Sequence, residues 1–514
     1  MAATLRHPLG WLALAAMTAV YLPLLPAAGL MLAPAFSLAG WQALFADPQF
    51  SQALAATLVS TTLAAVGALA LALCVAMALW PGAGWRRLSA RLPWLLAVPH
   101  VAFATAALLL FAEGGAFYRL CTVCTPQLDR YGIGLGVTLA VKESGFILWA
   151  LYALLPEEKL APRWVVMRTL GYSRVQGFCW LALPEIAPAL GALMLAVIAW
   201  SLSVVDVAIV LGPGNPPTLA VLAWQWLSQG DPAAQTKGAL ICLLLMGLLA
   251  GYAAFGGLLW QLWRRRIPST TGRRGRRVVP SPGRPLGWLV PLSGIACAGV
   301  LAVLAVLARD FTLTSQAFYT SLTFGVTASL LALALILLWL EWGPQRRGQW
   351  LWLPLVLPAL PLVAGQYQLA LWFQVDGDAL TVIWGHLLWV IPWMLLLLQP
   401  AWRAIDPRKI VVARTLGLGR AAIFWRLKCP MLIRPLLTAL ATGFSVSMAQ
   451  YMPTLWLGAG RYPTLTTEAV ALSSGGSVPL LAARALWLLA LTAAFFGLAA
   501  GLSRLAGRYR QGLR

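Results

Sequence analysis

Acid is scarce in this chain. Fifteen Asp and Glu stand against 37 Lys and Arg among 514 residues, and only three His are present. Acid–base and metal chemistry need Asp, Glu, His or Cys side chains brought together. His7, His100 and His386 are far apart, and no His/Cys/acid cluster reads as a metal enzyme. The phosphate loop GxxxxGK[ST] is absent, so energy from nucleotide has to come through another subunit. GxSxG, the nucleophile turn of hydrolases, is absent too. No cofactor and no covalent catalysis are expected. Charged residues make up 10% of the chain, where a soluble protein carries about one quarter.

Apolar sequence fills the space that charge leaves. The chain is 61% hydrophobic with a mean hydropathy of +0.80. A helix needs about 20 apolar residues to cross a bilayer. Runs that meet or approach this length lie near 10–33, 53–80, 92–112, 134–155, 186–211 and 237–263. A second set lies near 287–308, 319–342, 350–373, 379–399, 434–457 and 478–504. The expected fold is an all-α membrane protein of about 12 transmembrane helices in two tandem six-helix halves. Arg6 precedes the first run as in a signal peptide, but the run is long for that role. It is read as a retained span.

A net charge of +22 could suggest nucleic acid, but the basic residues sit in short loops between apolar runs. With the N-terminus inside, cytoplasmic loops receive 30 of the 37 Lys and Arg. The outside loops then hold Asp47, Glu113, Asp129, Asp231, Asp310, Asp376, Asp378 and Glu468. Both termini are therefore expected in the cytoplasm of a bacterial inner-membrane protein. Among seven Cys only Cys121 and Cys124 form a CxxC. A structural zinc site would need a second such pair or nearby His. A disulfide and two free thiols both remain open there.

One stretch occurs twice. Arg163–Pro184 and Lys409–Pro430 align without a gap at an offset of 246, with ten identities in 22 positions. Chance gives roughly two. Shared positions include Arg168/Arg414, Gly171/Gly417, Arg174/Arg420, Phe178/Phe424 and Pro184/Pro430. The repeat reaches further. Val98-Pro99-His100-Val101-Ala102 resembles Leu360-Pro361-Leu362-Val363-Ala364, and Pro217-Thr218-Leu219 recurs as Pro463-Thr464-Leu465. Early matches such as Ser51-Gln52-Ala53 with Ser315-Gln316-Ala317 run at an offset of 264, so the first half carries extra residues, assigned to the outside loop at 113–133. The domains follow: a first half at 1–263, a basic flexible linker at 264–286, and a second half at 287–514. With six spans each, the halves point the same way, related by an axis along the membrane normal.

The repeated stretch is too polar to span. Asp406-Pro407 starts a helix and Gly417 stops it, because glycine accepts the left-handed backbone that ends helices. Pro162, Gly171, Ser173 and Pro184 mark the same plan in the first copy. Each copy, at about 157–184 and 403–430, reads as a cytoplasmic knob of two short helices. Trp164, Val165, Val166 and Leu170, and Ile410, Val411 and Leu416, are its expected exposed apolar residues, suited to a partner's groove. An amphipathic helix lying on lipid is the plainer reading of a single copy.

Glycine and proline separated by twelve residues, after a short helix and repeated once, resemble the cytoplasmic EAA coupling loop of ABC importer permeases. Gly171/Gly417 and Pro184/Pro430 occupy the motif's Gly and Pro positions. Its Glu-Ala-Ala falls on Val165-Val166-Met167 and Val411-Val412-Ala413, so the acidic residue is missing twice. The duplicated layout resembles the fused double permeases of the thiamine and iron(III) branch. The resemblance implies two copies of a cytoplasmic ATP-binding subunit, a periplasmic substrate-binding protein, and ATPase coupling through Arg168, Gly171, Arg174, Pro184, Arg414, Gly417, Arg420 and Pro430.

Ionisable groups within spans are candidates for the substrate path. Lys142 and Glu143 lie in the fourth span, where mutual or interhelix neutralisation is an equal alternative. His386 falls roughly where Lys142 falls in the other half. Asp206 lies near the outer end of the fifth span, and Gln450 or Met452 holds the related place in the second half. Asp206 on the path favours a cationic substrate, while a structural hydrogen-bonding role is the alternative. An ion-gradient-driven transporter with twelve spans is the rival reading of the whole chain. Thiamine, an iron complex, a polyamine or an oxyanion would each fit such a fold.

Overall fold

The computed structural model describes residues 8–89, 97–111, 129–155, 157–267, 306–308, 315–475 and 477–508, with Leu92 and Gly115. The expected span at 287–308, most of the linker and the Cys121/Cys124 loop lie largely or wholly outside these residues. Helix accounts for nearly all of the described chain, and no strand occurs among the described residues. Among the described residues eight helices are long and apolar enough to cross a membrane, or ten if each of two bent pairs is one span.

The first-half elements are α1 (Pro8–Tyr21), α2 (Leu24–Leu32), α3 (Phe50–Leu79), α4 (His100–Phe111), α5 (Ile133–Leu154), α6 (Glu157–Thr169), α7 (Arg174–Gly177), α8 (Leu183–Ser203), α9 (Asp206–Leu211), α10 (Leu219–Leu227) and α11 (Pro232–Arg264). The second-half elements are α12 (Ser315–Trp342), α13 (Ala359–Phe373), α14 (Ala379–Arg403), α15 (Pro407–Thr415), α16 (Arg420–Ile423), α17 (Ile433–Met448), α18 (Met452–Leu457), α19 (Leu465–Ser473) and α20 (Val478–Arg508). The sequence offset of 246 carries α9 onto α18 and α10 onto α19 without adjustment. It also superposes two one-turn π segments, Phe178–Ala182 and Phe424–Lys428.

Small residues let the spans approach. α3 buries Ala53, Ala56, Ser60, Ala64, Ala68 and Ala72, spaced three or four apart on one face. At its contact with α5, a Cβ on Gly136 would lie 2.9 Å from the Ser60 carbonyl, so only glycine fits. A hydroxyl on the same helix caps the outer hairpin in each half. Thr57 Oγ1 accepts the Leu219 N–H at 2.8 Å, and Ser321 Oγ accepts the Leu465 N–H at 2.9 Å.

The halves interlock. α1 and α2 pack on α12 and α13 of the second half. Tyr21 donates to the Leu351 carbonyl at 3.1 Å, and the Trp384 indole donates to the Val20 carbonyl at 2.9 Å.

Two expected spans are corrected. The runs at 186–211 and 434–457 are each broken, at Val204-Val205 and at Ala449-Gln450-Tyr451. Ser203 donates to the Ala199 carbonyl and accepts the Ala359 N–H, 156 residues away, at 2.8 Å. In the second half Pro453, near the start of α18, lacks the N–H that would continue α17. The run at 350–373 is also bent, by 108° between Val356 and Ala359, where Pro358 intervenes.

Candidate functional site

Two places gather the residues that sequence singled out. One is the pair of knobs and the other is the pair of helix breaks.

In each knob the first helix ends in the same way. Gly171 has φ +86° and Gly417 has φ +80°. The Tyr172 N–H reaches the Met167 carbonyl at 3.1 Å, and the Leu418 N–H reaches the Ala413 carbonyl at 3.1 Å. This is the Schellman closure, and it needs a residue free to adopt positive φ. Asp406 caps the second copy by accepting the Arg408 N–H at 2.9 Å. Ser173 and Gln176 form a reciprocal capping box at the second helix of the first copy, where Gly419 gives the other copy no side-chain cap.

The outward faces match. Val165 and Val166 are each 58% exposed, and Val411 and Val412 are 58% and 57% exposed. Arg168 and Arg414 are exposed beside them, and so is Leu416, while Leu170 is half-buried. The expectation for Trp164 is corrected: it is 7% exposed and turned inward. Its ring stands 6.0 Å from Trp80, inside a cluster with Phe178, Trp85 and Leu160. Ile410 is likewise half-buried. Arg174 and Arg420 point toward their own bundle. Arg174 Nη1 donates to the Ala78 carbonyl at 2.9 Å, and Arg420 Nε donates to Glu341 Oε1 at 3.1 Å. Pro184 and Pro430 are half-buried where each knob rejoins its bundle.

The two helix breaks differ. In the first half His100 Nε2 and Glu143 Oε1 are 2.8 Å apart, and the His100 ring lies on Trp200 with centroids 4.3 Å apart. Asp206 opens α9, close enough to His100 and to Tyr451 of the second half to interact with both electrostatically. Lys142, on the next position of α5, is half-buried. Sequence reasoning missed His100 as Glu143's partner. The signal was present, since His100 replaces Leu362 in an otherwise apolar repeated motif.

The second half holds a neutral network. His386 is fully buried, with Ser447 Oγ 2.7 Å from Nδ1 and Thr454 Oγ1 2.9 Å from Nε2. Thr454 donates onward to the Gln450 carbonyl at 2.6 Å. Thr454 then accepts from Nε2–H of a neutral imidazole, and Ser447, also 3.3 Å from the Phe324 carbonyl, has the nearer Nδ1 as acceptor. His386 pins α14 to both sides of the second break. The observed offset places Ala140, not Lys142, opposite it. Gln450 Nε2 donates to the Val446 carbonyl at 3.2 Å and lines a small polar cavity with His386. Among the described residues no three His, Cys, Asp or Glu converge as metal ligands do. Cys74, Cys179, Cys242 and Cys429 are free thiols.

No family model matches the chain, and no solved structure matches it. A curated relative does. Over 514 residues, the whole of both chains, it is 60% identical to the inner membrane ABC transporter permease protein YnjC of Escherichia coli strain K12. With its apolar helices and that full-length identity, the chain belongs to the ABC transporter permeases, as a multi-pass protein of the inner membrane.

Proposed function

We propose that the chain carries both permease halves of an importer, and that its two knobs dock two copies of one cytoplasmic ATP-binding subunit. The single observation that carries this reading is the matched Val-Val pair with its neighbouring Arg, presented outward at equal exposure on both knobs. Exposed apolar pairs on short, capped helices suit grooves in a partner, and two equal pairs suit two equal grooves. Both termini and the knobs face the cytoplasm, in keeping with the positive-inside count. A substrate-binding protein delivers solute on the opposite face. Closure of the ATPase pair moves the bundles through the knobs and opens the central path to each side in turn. Covalent chemistry stays with the ATPase. Purification of the tagged chain from cells tests this: two ATPase copies per permease are expected, and a permease that emerges alone overturns it.

The path runs by the first-half break. Asp206, Glu143 and His100 set charge there, with Trp200 and Tyr451 beside them, while Met452 stands opposite Asp206 in the repeat. A largely buried carboxylate beside aromatic faces favours a cationic solute over an oxyanion. Asp206→Asn removes the charge and keeps the size. Uptake of cationic probes (thiamine, a polyamine) and of an oxyanion is the measurement. Cation uptake is expected to fall about tenfold or more, the equivalent of one 1.4 kcal/mol interaction. Unchanged cation uptake at normal expression removes Asp206 from the path.

A further inference from the structure

The Glu341 carboxylate, 3% exposed at the end of α12, holds both ends of the second knob's second helix. Arg420 Nε lies 3.1 Å from Oε1, and Lys428 Nζ lies 2.5 Å from Oε2. Arg420 Nη2 also bonds the Glu341 carbonyl. Each cation sits near an indole: Arg420 is 5.7 Å from the Trp342 ring, and Lys428 is 5.0 Å from the Trp402 ring.

The π segment makes this clasp possible. Residues eight apart on a plain α-helix diverge by about 80°. The one-residue insertion of a π turn cancels most of that, so Arg420 and Lys428 share a face. The first half keeps the π segment but not the clasp. At the repeat offsets, Met77 replaces Glu341 and Ala182 replaces Lys428. Met77 packs on the apolar cluster there and lies against Cys179, Sγ to Sδ 3.9 Å.

A buried ion pair contributes little net stability against an apolar alternative, and the first half has that alternative. What the clasp adds is a fixed register, since a hydrogen-bonded carboxylate resists sliding where an apolar surface permits it. α12 is a suitable anchor because it packs along α14, α17 and α1. We propose that Glu341 is a positioning residue that ties the second knob to α12, so that displacement of the knob is passed to the bundle. The proposal rests on the knobs being ATPase docks.

The test uses the assembled permease–ATPase complex in lipid nanodiscs, with ATP and vanadate as the probe. Spin labels at Gln229→Cys and Val375→Cys, in a cysteine-free background, report the separation of the two halves on the face away from the knobs. Wild type is expected to shift its label distance on trapping. Glu341→Gln is expected to keep its ATPase subunits, and to hydrolyse ATP within about twofold of wild type, while losing most of the shift. Glu341→Asp is expected to restore it. A full shift in Glu341→Gln overturns the proposal. So does loss of the ATPase subunits from Glu341→Gln, which would make Glu341 a residue of the dock's own folding. A wild-type chain that holds no ATPase at all refutes the docking reading instead.

Discussion

Trp164 lies over Gly177 in the first knob, where the second has Ile410 and Ile423 at the same two positions. Beneath the first knob is a separate aromatic socket of Trp80, Trp85, Trp164 and Phe178. The second knob instead joins the main core through Phe424, Ile410 and Cys429, and is clasped by Glu341. The outward Val-Val pairs nevertheless agree to within one per cent of exposure. Faces held equal over different foundations point to a constraint at the face itself, as two equal partners would impose. The foundations answer only to packing, and packing admits many solutions of the same volume.

Where the knobs are identical, damage should be equal. Phe178→Ala and Phe424→Ala each empty a buried aromatic site and should each cost about 3–5 kcal/mol, read as matched losses of thermal stability. A large inequality would mean that the two different foundations do not hold the shared phenylalanine equally. Where the knobs differ, rescue should be specific. Gly177→Ile drives a side chain into the Trp164 ring and should cost about 3 kcal/mol. Adding Trp164→Ile recreates the pair found in the second knob and should recover most of that loss in the same unfolding assay. Failure of the double variant would mean that the sockets are not volume-equivalent.

The helix stops should give the smallest effect. Gly417 has nothing within 4 Å of a Cβ, so Gly417→Val meets backbone strain alone, about 1–2 kcal/mol. Gly171→Val meets similar strain, but the Ser173–Gln176 capping box still fixes the helix that follows. The Gly417 variant should therefore lose more ATPase on copurification, with insertion normal in both. Wild-type ATPase recovery in both variants would separate the left-handed turn from docking.

The repeat and both helix stops were legible because their signals are local: a glycine where φ turns positive, a proline after the knob, a fixed offset. The inward turn of Trp164 was not, because its socket comes from Trp80 and Phe178 on other elements. The breaks at Val204-Val205 and Ala449–Tyr451 were hidden because each lies within a run whose overall apolar length suits one span. One of them depends on Ser203 meeting the Ala359 N–H from the other half. The packing of α1 and α2 across the halves leaves no periodic trace at all. Asp206 and Glu143 could be singled out by charge, but the His100 partner lies 43 residues from Glu143 and is brought there only by the fold.

The account rests most directly on the two exposed valine pairs. Val166→Asp and Val412→Asp place a charge on each face without touching the packed interior, and a carboxylate forced into an apolar groove is strongly disfavoured. ATPase subunits recovered per purified permease are the readout, with the permease's own unfolding temperature as the control. The prediction is that each single variant loses much of its ATPase and the double variant nearly all, at an unchanged unfolding temperature. A double variant that retains the wild-type complement of ATPase would contradict the account.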